Sequence, residues 1–258
     1  MVHHYAAGML GLLVLVLVGL AWWCPRHRML MTILAGLILF QVQLGMWMVT
    51  MKLMPLVVTG HHLGGMSVLA LLWWALLDNR YRQQLAHGMV QATEVPLKLQ
   101  LFTGIGLGLL VLQILLGWGG STSDAGLACT SFPSCNGQWW SLHADYANGF
   151  SLHDVDAAGL VAIQWAHRLG ALIVFFYLGV LAILCRSVTP RISLAIGVFL
   201  LLQLSLSIGA VLSGLLLPME DANSAVAALL LMSVITLIHR LNHGLSYSRV
   251  MVSKAELS

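Results

Sequence analysis

Three histidines stand at one depth of three separate apolar segments. His3 opens the first segment, His61 opens the third 58 positions later (3 to 61), and His167 opens the fifth. Asn223 opens the seventh, 56 positions after His167 (167 to 223). A polar side chain is expensive in hydrocarbon, so recurrence at matched intervals calls for a chemical reason. An imidazole near a helix end commonly caps a carbonyl or meets water. That ordinary role suits His27, His87, His239 and His243 at the opposite ends of the segments, and His143 and His153 in a long loop. Two imidazoles on facing helices can instead hold a haem iron from both sides. Gly60, Gly64 and Gly65 around His61, and Gly170 and Ala171 after His167, leave room for a macrocycle. Zinc asks for three or four close ligands, whereas these candidates come in pairs. His4 and His62 adjoin the first two positions but point about 100° away round a helix, which makes them second choices.

Cysteine is the other reactive type. Cys129 and Cys135 share one loop with five residues between them, while Cys24 and Cys185 sit at the far ends of segments. A pair in an outer, oxidising compartment bridges, and the alternative is two free thiols.

The elements that must position these residues follow from composition. Of 258 residues 59% are hydrophobic and 8% charged, against roughly 25% charged in a soluble domain. Runs of about 20 apolar residues, enough to cross ~30 Å of hydrocarbon, cover Tyr5–Cys24, Met29–Val49, Val57–Leu77, Leu99–Trp118, Leu160–Leu184, Ile192–Leu217 and Ala222–Leu241. The expected fold class is therefore all-α, a polytopic membrane protein with about seven spans. The first run lacks a positive n-region and a small-residue cleavage site, and Arg26 and Arg28 follow it as a stop.

Charge orients the spans. With the N-terminus outside, Arg26, Arg28, Arg80, Arg82, Lys98, Arg186, Arg191, Arg240, Arg249 and Lys254 lie inside, and only Lys52 and Arg168 lie outside. This is the positive-inside pattern. It puts the N-terminus and the 119–159 loop outside and the C-terminus in the cytoplasm of a bacterial inner membrane. The net charge of +3 reflects that orientation, and no nucleic-acid partner is expected.

The segments repeat. Gln41-Val-Gln-Leu-Gly45 in the second matches Gln203-Leu-Ser-Leu-Ser207 in the sixth, and Gln113-Ile-Leu-Leu-Gly117 in the fourth is a further copy. Two pseudo-repeated bundles are expected, residues 1–98 with three helices and residues 99–258 with four, the first lacking its opening helix.

The motifs Gly126-Leu-Ala-Cys129-Thr-Ser-Phe-Pro-Ser-Cys135-Asn-Gly137-Gln-Trp-Trp140, Ile163-Gln-Trp-Ala-His167-Arg168-Leu-Gly-Ala171, and Leu44-Gly-Met-Trp-Met-Val-Thr50 followed by Pro55-Leu-Val-Val-Thr-Gly-His61 make the chain resemble the haem A synthases, over nearly its whole length. The resemblance implies eight helices in two bundles, each with an outward-facing haem pocket. One pocket would take haem O as substrate and the other haem b as cofactor, a ring methyl being oxidised to formyl for cytochrome oxidase biogenesis. His3 and His61 match the first pocket's pair, His167 matches one iron ligand of the second, and Cys129 with Cys135 match the second half's disulfide. Haem O synthase, the oxidase assembly machinery and a membrane electron donor are the implied partners, with room for a homo-oligomer. Three departures stand out. The family's first helix and its cysteine loop are absent, and a carboxylate expected three residues before His3 would fall upstream of Met1. The fourth histidine aligns with Asn223. An in-frame upstream helix ending in Glu-x-x before His3 is the corresponding expectation.

The resemblance thus leads to a haem A synthase-type oxidoreductase. The competing reading is a non-catalytic haem-binding or oxidase-assembly protein on the same scaffold, favoured by the missing carboxylate and histidine. A thiol oxidase would need two relaying cysteine pairs, and a coupled transporter an acidic residue at mid-membrane; neither feature is present.

Overall fold

The computed structural model describes residues 2–23, 28–87, 95–122, 125–129, 131–135, 137, 155–214 and 217–243. Among them the chain is all-helical, with seven long helices and one short one: α1 (Val2–Trp22), α2 (Arg28–Thr50), α3 (Pro55–Ala86), α4 (Leu97–Thr122), the short α5 (Ala125–Ala128), α6 (Ala157–Cys185), α7 (Pro190–Leu212) and α8 (Leu217–Asn242). Six of them, α2, α3, α4, α6, α7 and α8, contain stretches long and apolar enough to cross a membrane, and α1 adds a shorter apolar stretch, Gly8–Trp22. Five of the seven apolar runs fall wholly on long helices; the first ends at Cys24, outside the described residues, and the sixth, Ile192–Leu217, overruns α7, which stops at Leu212 before a turn at Ser213 and Gly214. Leu12, Leu39, Phe176 and Leu201 are among many large apolar side chains left exposed, a surface that suits hydrocarbon and not water. The chain is a multi-pass membrane protein.

Local chemistry sets the ends. Asp156 caps α6, its carboxylate accepting from Gly159 N at 2.8 Å, so the helix begins three residues before the apolar run. Pro190 sits at the start of α7, where its missing N–H costs nothing. α3 runs well past Leu77, where its apolar run stops. Arg82 pairs with Asp78 one turn away at 2.7 Å, which carries the helix on through polar residues.

The chain divides into two compact units, Met1–Ala75 and Leu76–Ser258. In the first, Val14, Leu34 and Val68 bring α1, α2 and α3 together with Val18, Leu37, Ile38, Leu71 and Leu72 around them. In the second, α4 packs on α6 and α8, α6 on α7, and α7 on α8, closing a four-helix arrangement. Its buried centre includes Leu178, Leu181, Ile196, Leu230 and Val234. Between apolar helices in lipid such contacts gain packing and not hydration energy, so small residues and polar contacts decide register.

A repeat is built into the backbone. α2 and α7 are each 23 residues long, and both of their ends differ by 162 positions (28 to 190, 50 to 212). The following helices start at the same displacement, Pro55 and Leu217. Even the turn between them agrees. Lys52 has φ 51° and Gly214, 162 positions on, has φ 72°, the left-handed conformation that lets the chain reverse after a helix.

Candidate functional site

The repeat brings Gln41 and Gln113 each against the helix that carries a candidate ligand. In the first unit, a side chain at Gly45 would touch the His61 ring, 3.5 Å from Cε1, and one at Gly64 would collide with the Gln41 amide. In the second unit, a Cβ at Gly117 would come within 3.1 Å of His167 Cε1, and one at Gly170 would collide with Gln113 Oε1. In both hairpins, glycine four residues after glutamine makes room for the imidazole, and glycine three residues after histidine makes room for the amide. The glycines at 64 and 170 were expected to make space for a macrocycle. Here glutamine side chains fill that space, whereas a Cβ at Gly65 would meet nothing.

His167 is the best-defined candidate. The Gln113 amide nitrogen donates to His167 Nδ1 at 2.9 Å and to the His167 carbonyl at 3.0 Å, while Gln113 Oε1 is buried without a partner. The ring is thus held from one side by a neighbouring helix. His61 sits at the matching place on α3. Beside it, His62 places Nδ1 3.0 Å from Val58 O in its own helix. His3 lies in the first turn of α1, and its side chain and that of His4 fall outside the described residues. His143 and His153 also fall outside them.

Asn223 occupies the His61 register. Ser207 and Asn223 are 16 positions apart, as are Gly45 and His61, and Ser207 Oγ donates to Asn223 Oδ1 at 3.1 Å. A hydroxymethyl group here stands where the other hairpins have an empty glycine, and a short amide stands where they have an imidazole. Gln203 Oε1 remains buried and unpartnered. Met219, one turn before Asn223, turns its thioether to the end of α7, where Sδ accepts from Ser213 Oγ at 3.2 Å and lies beside Gly209.

Above His167 lies a pinned loop. Cys129 and Cys135 form a disulfide with Cα atoms 4.8 Å apart, and both residues are buried. Arg168, next to His167, donates to the carbonyls of Cys129 (3.1 Å), Ser131 (3.0 Å) and Ser134 (3.1 Å), with Pro133 O at 3.4 Å. The planar fork of a guanidinium suits several converging acceptors. This role was not evident from the sequence; its trace is that Arg168 is one of only two basic residues on the expected outer side. An apolar groove on α4 and α6, lined by Phe102, Leu172, Phe176 and Tyr177, holds none of the site residues.

Among its described residues this is an all-helical multi-pass membrane protein that sets imidazoles into glycine notches, one of them, His167, next to the arginine that fastens a disulfide loop. A family model for the cytochrome oxidase assembly proteins, COX15-CtaA, matches residues 1–235, and the chain belongs to that family. It is similar to the heme A synthase of Shewanella oneidensis, with 37% identity over 263 residues covering 97% of this chain and 78% of that protein.

Proposed function

We propose that this chain is a haem A synthase-type membrane oxidoreductase, taking haem O as substrate and haem b as cofactor. The observation that carries the reading is the placement of His167: its ring is set against Gly117, held by Gln113, and lies beside the arginine that fastens the disulfide loop. The relative's name and the family match point the same way.

The residues present suit iron from one side. His61 in the first bundle (residues 1–98) and His167 in the second (residues 99–258) each offer an imidazole, and His3 completes the first pair on this reading. The Gln113 amide sets the tautomer of His167. With its NH₂ end toward the ring, Nδ1 is an acceptor and the proton sits on Nε2; ligation of iron through Nε2 requires the amide turned end for end, its oxygen accepting from a protonated Nδ1. When bound, haem b supplies a redox centre that the chain's own side chains lack. Converting a methyl to a formyl group removes four electrons, so a membrane redox partner is required. Haem O synthase and the oxidase assembly machinery are the proposed neighbours, with a homo-oligomer as a compatible form. The site faces the outer side of a bacterial inner membrane, with the C-terminus cytoplasmic.

Expression in cells that make haem O but no haem A tests this. Extracted haem should contain haem A, and His167→Ala should abolish it. Haem O alone, with the protein folded and haem-bound, would favour the second reading, a non-catalytic haem-binding assembly protein. The Ser207–Asn223 contact supports that alternative, because it replaces an iron ligand by a closed polar pair.

A further inference from the structure

At the end of the second unit opposite His167, three potential ligands converge. His239 and His243 lie four residues apart at the end of α8, one turn above each other on a single face. Their ring centroids are 4.5 Å apart. Asp78 approaches from the polar extension of α3, and one ligand atom from each of the three residues lies within 4.8 Å of the others. His239 is only 2% exposed, far from the solvated capping role that its position at a helix end led us to expect.

The surroundings hold the three groups in place. Tyr81, three residues after Asp78, stacks on the His243 ring at 4.2 Å with a 27° tilt and meets His239 edge-on at 6.0 Å. Arg82 donates to Asp78 Oδ2 at 2.7 Å, and a carboxylate has a second oxygen to offer. This is the arrangement of a metal site whose ligands are oriented by outer partners. Two imidazoles and one carboxylate suit a borderline divalent ion, with water in the open positions, and neither calcium nor a soft monovalent ion fits that donor set. Arg82 and Arg240 are the cations nearby along α3 and α8. They oppose a divalent charge, and the Asp78 carboxylate offsets part of it.

We propose that Asp78, His239 and His243 form a three-ligand site for a divalent transition ion of the zinc class, tying the end of α3 to the end of α8. Ligand atoms within 4.8 Å of one another need only sub-ångström adjustment of side chains to reach metal-bond lengths of ~2.0–2.2 Å.

The test uses the untagged full chain, purified in detergent and stripped with chelator. Co²⁺ should bind at one equivalent with visible d–d bands, and Zn²⁺ should quench them. Asp78→Asn and His243→Gln should each weaken binding at least tenfold. Zinc-edge X-ray absorption on the wild-type protein supplies a readout that needs no variant, and two imidazoles should be counted in the first coordination sphere. Absence of cobalt bands, bands that persist in both variants, or zinc without imidazole scattering would each overturn the proposal and leave a hydrogen-bonded Asp–His–His cluster.

Discussion

The α4/α6 and α7/α8 hairpins use one plan with different residues. In the first, Gln113 and Gly117 face His167 and Gly170; in the second, Ser207 faces Asn223, with Gln203 four residues before the serine and Val226 three residues after the asparagine. The α2/α3 hairpin shows which is the shared state, since Gln41, Gly45, His61 and Gly64 repeat the glycine-and-histidine version. The change at position 223 is therefore paired with the change at position 207. Asn223 is shorter than an imidazole, and the Ser207 hydroxyl reaches it and satisfies its amide oxygen. A buried polar group without a partner costs ~1–3 kcal/mol, and a part of that applies to the half-buried Asn223 amide, which the Ser207 hydroxyl satisfies and a glycine would not.

The largest expected effect separates the hairpins at once. On the proposed reading, His167→Ala removes the imidazole of the second bundle and should eliminate its haem absorption, while Asn223→Ala should leave the spectrum almost unchanged. Equal loss in both variants, with folded protein, would mean that Asn223 also ligates iron and that the hairpins do not differ in function.

The reverse change should restore symmetry. Asn223→His alone places a ring against the Ser207 hydroxymethyl and should bind iron incompletely. Ser207→Gly with Asn223→His should give bis-histidine ligation, sharper α-band absorption and a lower midpoint potential. Residues in contact typically couple by ~0.5–3 kcal/mol, so the double variant should exceed the combined effects of the single ones. Additive behaviour would show that the two positions are independent.

How much of this was readable beforehand depends on the range of the interactions involved. The spans were legible because apolar length is a local property, but the end of the sixth was not, since apolar residues continue past Leu212 through the turn at Ser213 and Gly214. The disulfide was legible from compartment and spacing. The three Gln-x-x-x-small motifs were visible as repeats, but not their contact with histidine, because Gln113 and His167 are 54 residues apart. Asp78 and His239 are farther apart still, and each alone reads as an ordinary residue at a helix end. Arg168 was counted as a stray outer charge. Its purpose depends on carbonyls of a loop whose path no side-chain pattern encodes.

That arginine gives the next comparison, between what pins the loop and what closes it. Arg168→Ala removes charge-assisted bonds to three or four carbonyls, each worth ~1.5–3 kcal/mol when well formed. The loop should open and amide exchange across residues 129–135 should rise by at least tenfold. Arg168→Lys should recover only part of the protection, because an ammonium cannot span the acceptors as a fork does. On the proposed reading, the haem absorption assigned to the neighbouring His167 should shift in the same order.

Removing the disulfide should do less. Cys129 and Cys135 are six positions apart, so the bridge closes a short loop, and chain-entropy arguments assign it about 2 kcal/mol. The constraint is local, and Arg168 still reaches the carbonyls of Ser131 and Ser134 when the sulfur–sulfur bond is gone. Cys129→Ala with Cys135→Ala should therefore lower the melting temperature by a few degrees and leave the His167 absorption nearly in place. Alkylation without reductant should leave both cysteines unmodified in the wild-type protein, while Cys185, buried at the end of α6, should react only after denaturation. If the double alanine variant lost the absorption as completely as Arg168→Ala, the bridge and not the arginine would be what holds the loop over the histidine. The order of the two effects decides between these arrangements, because both variants loosen the same seven residues and only one leaves the guanidinium in place.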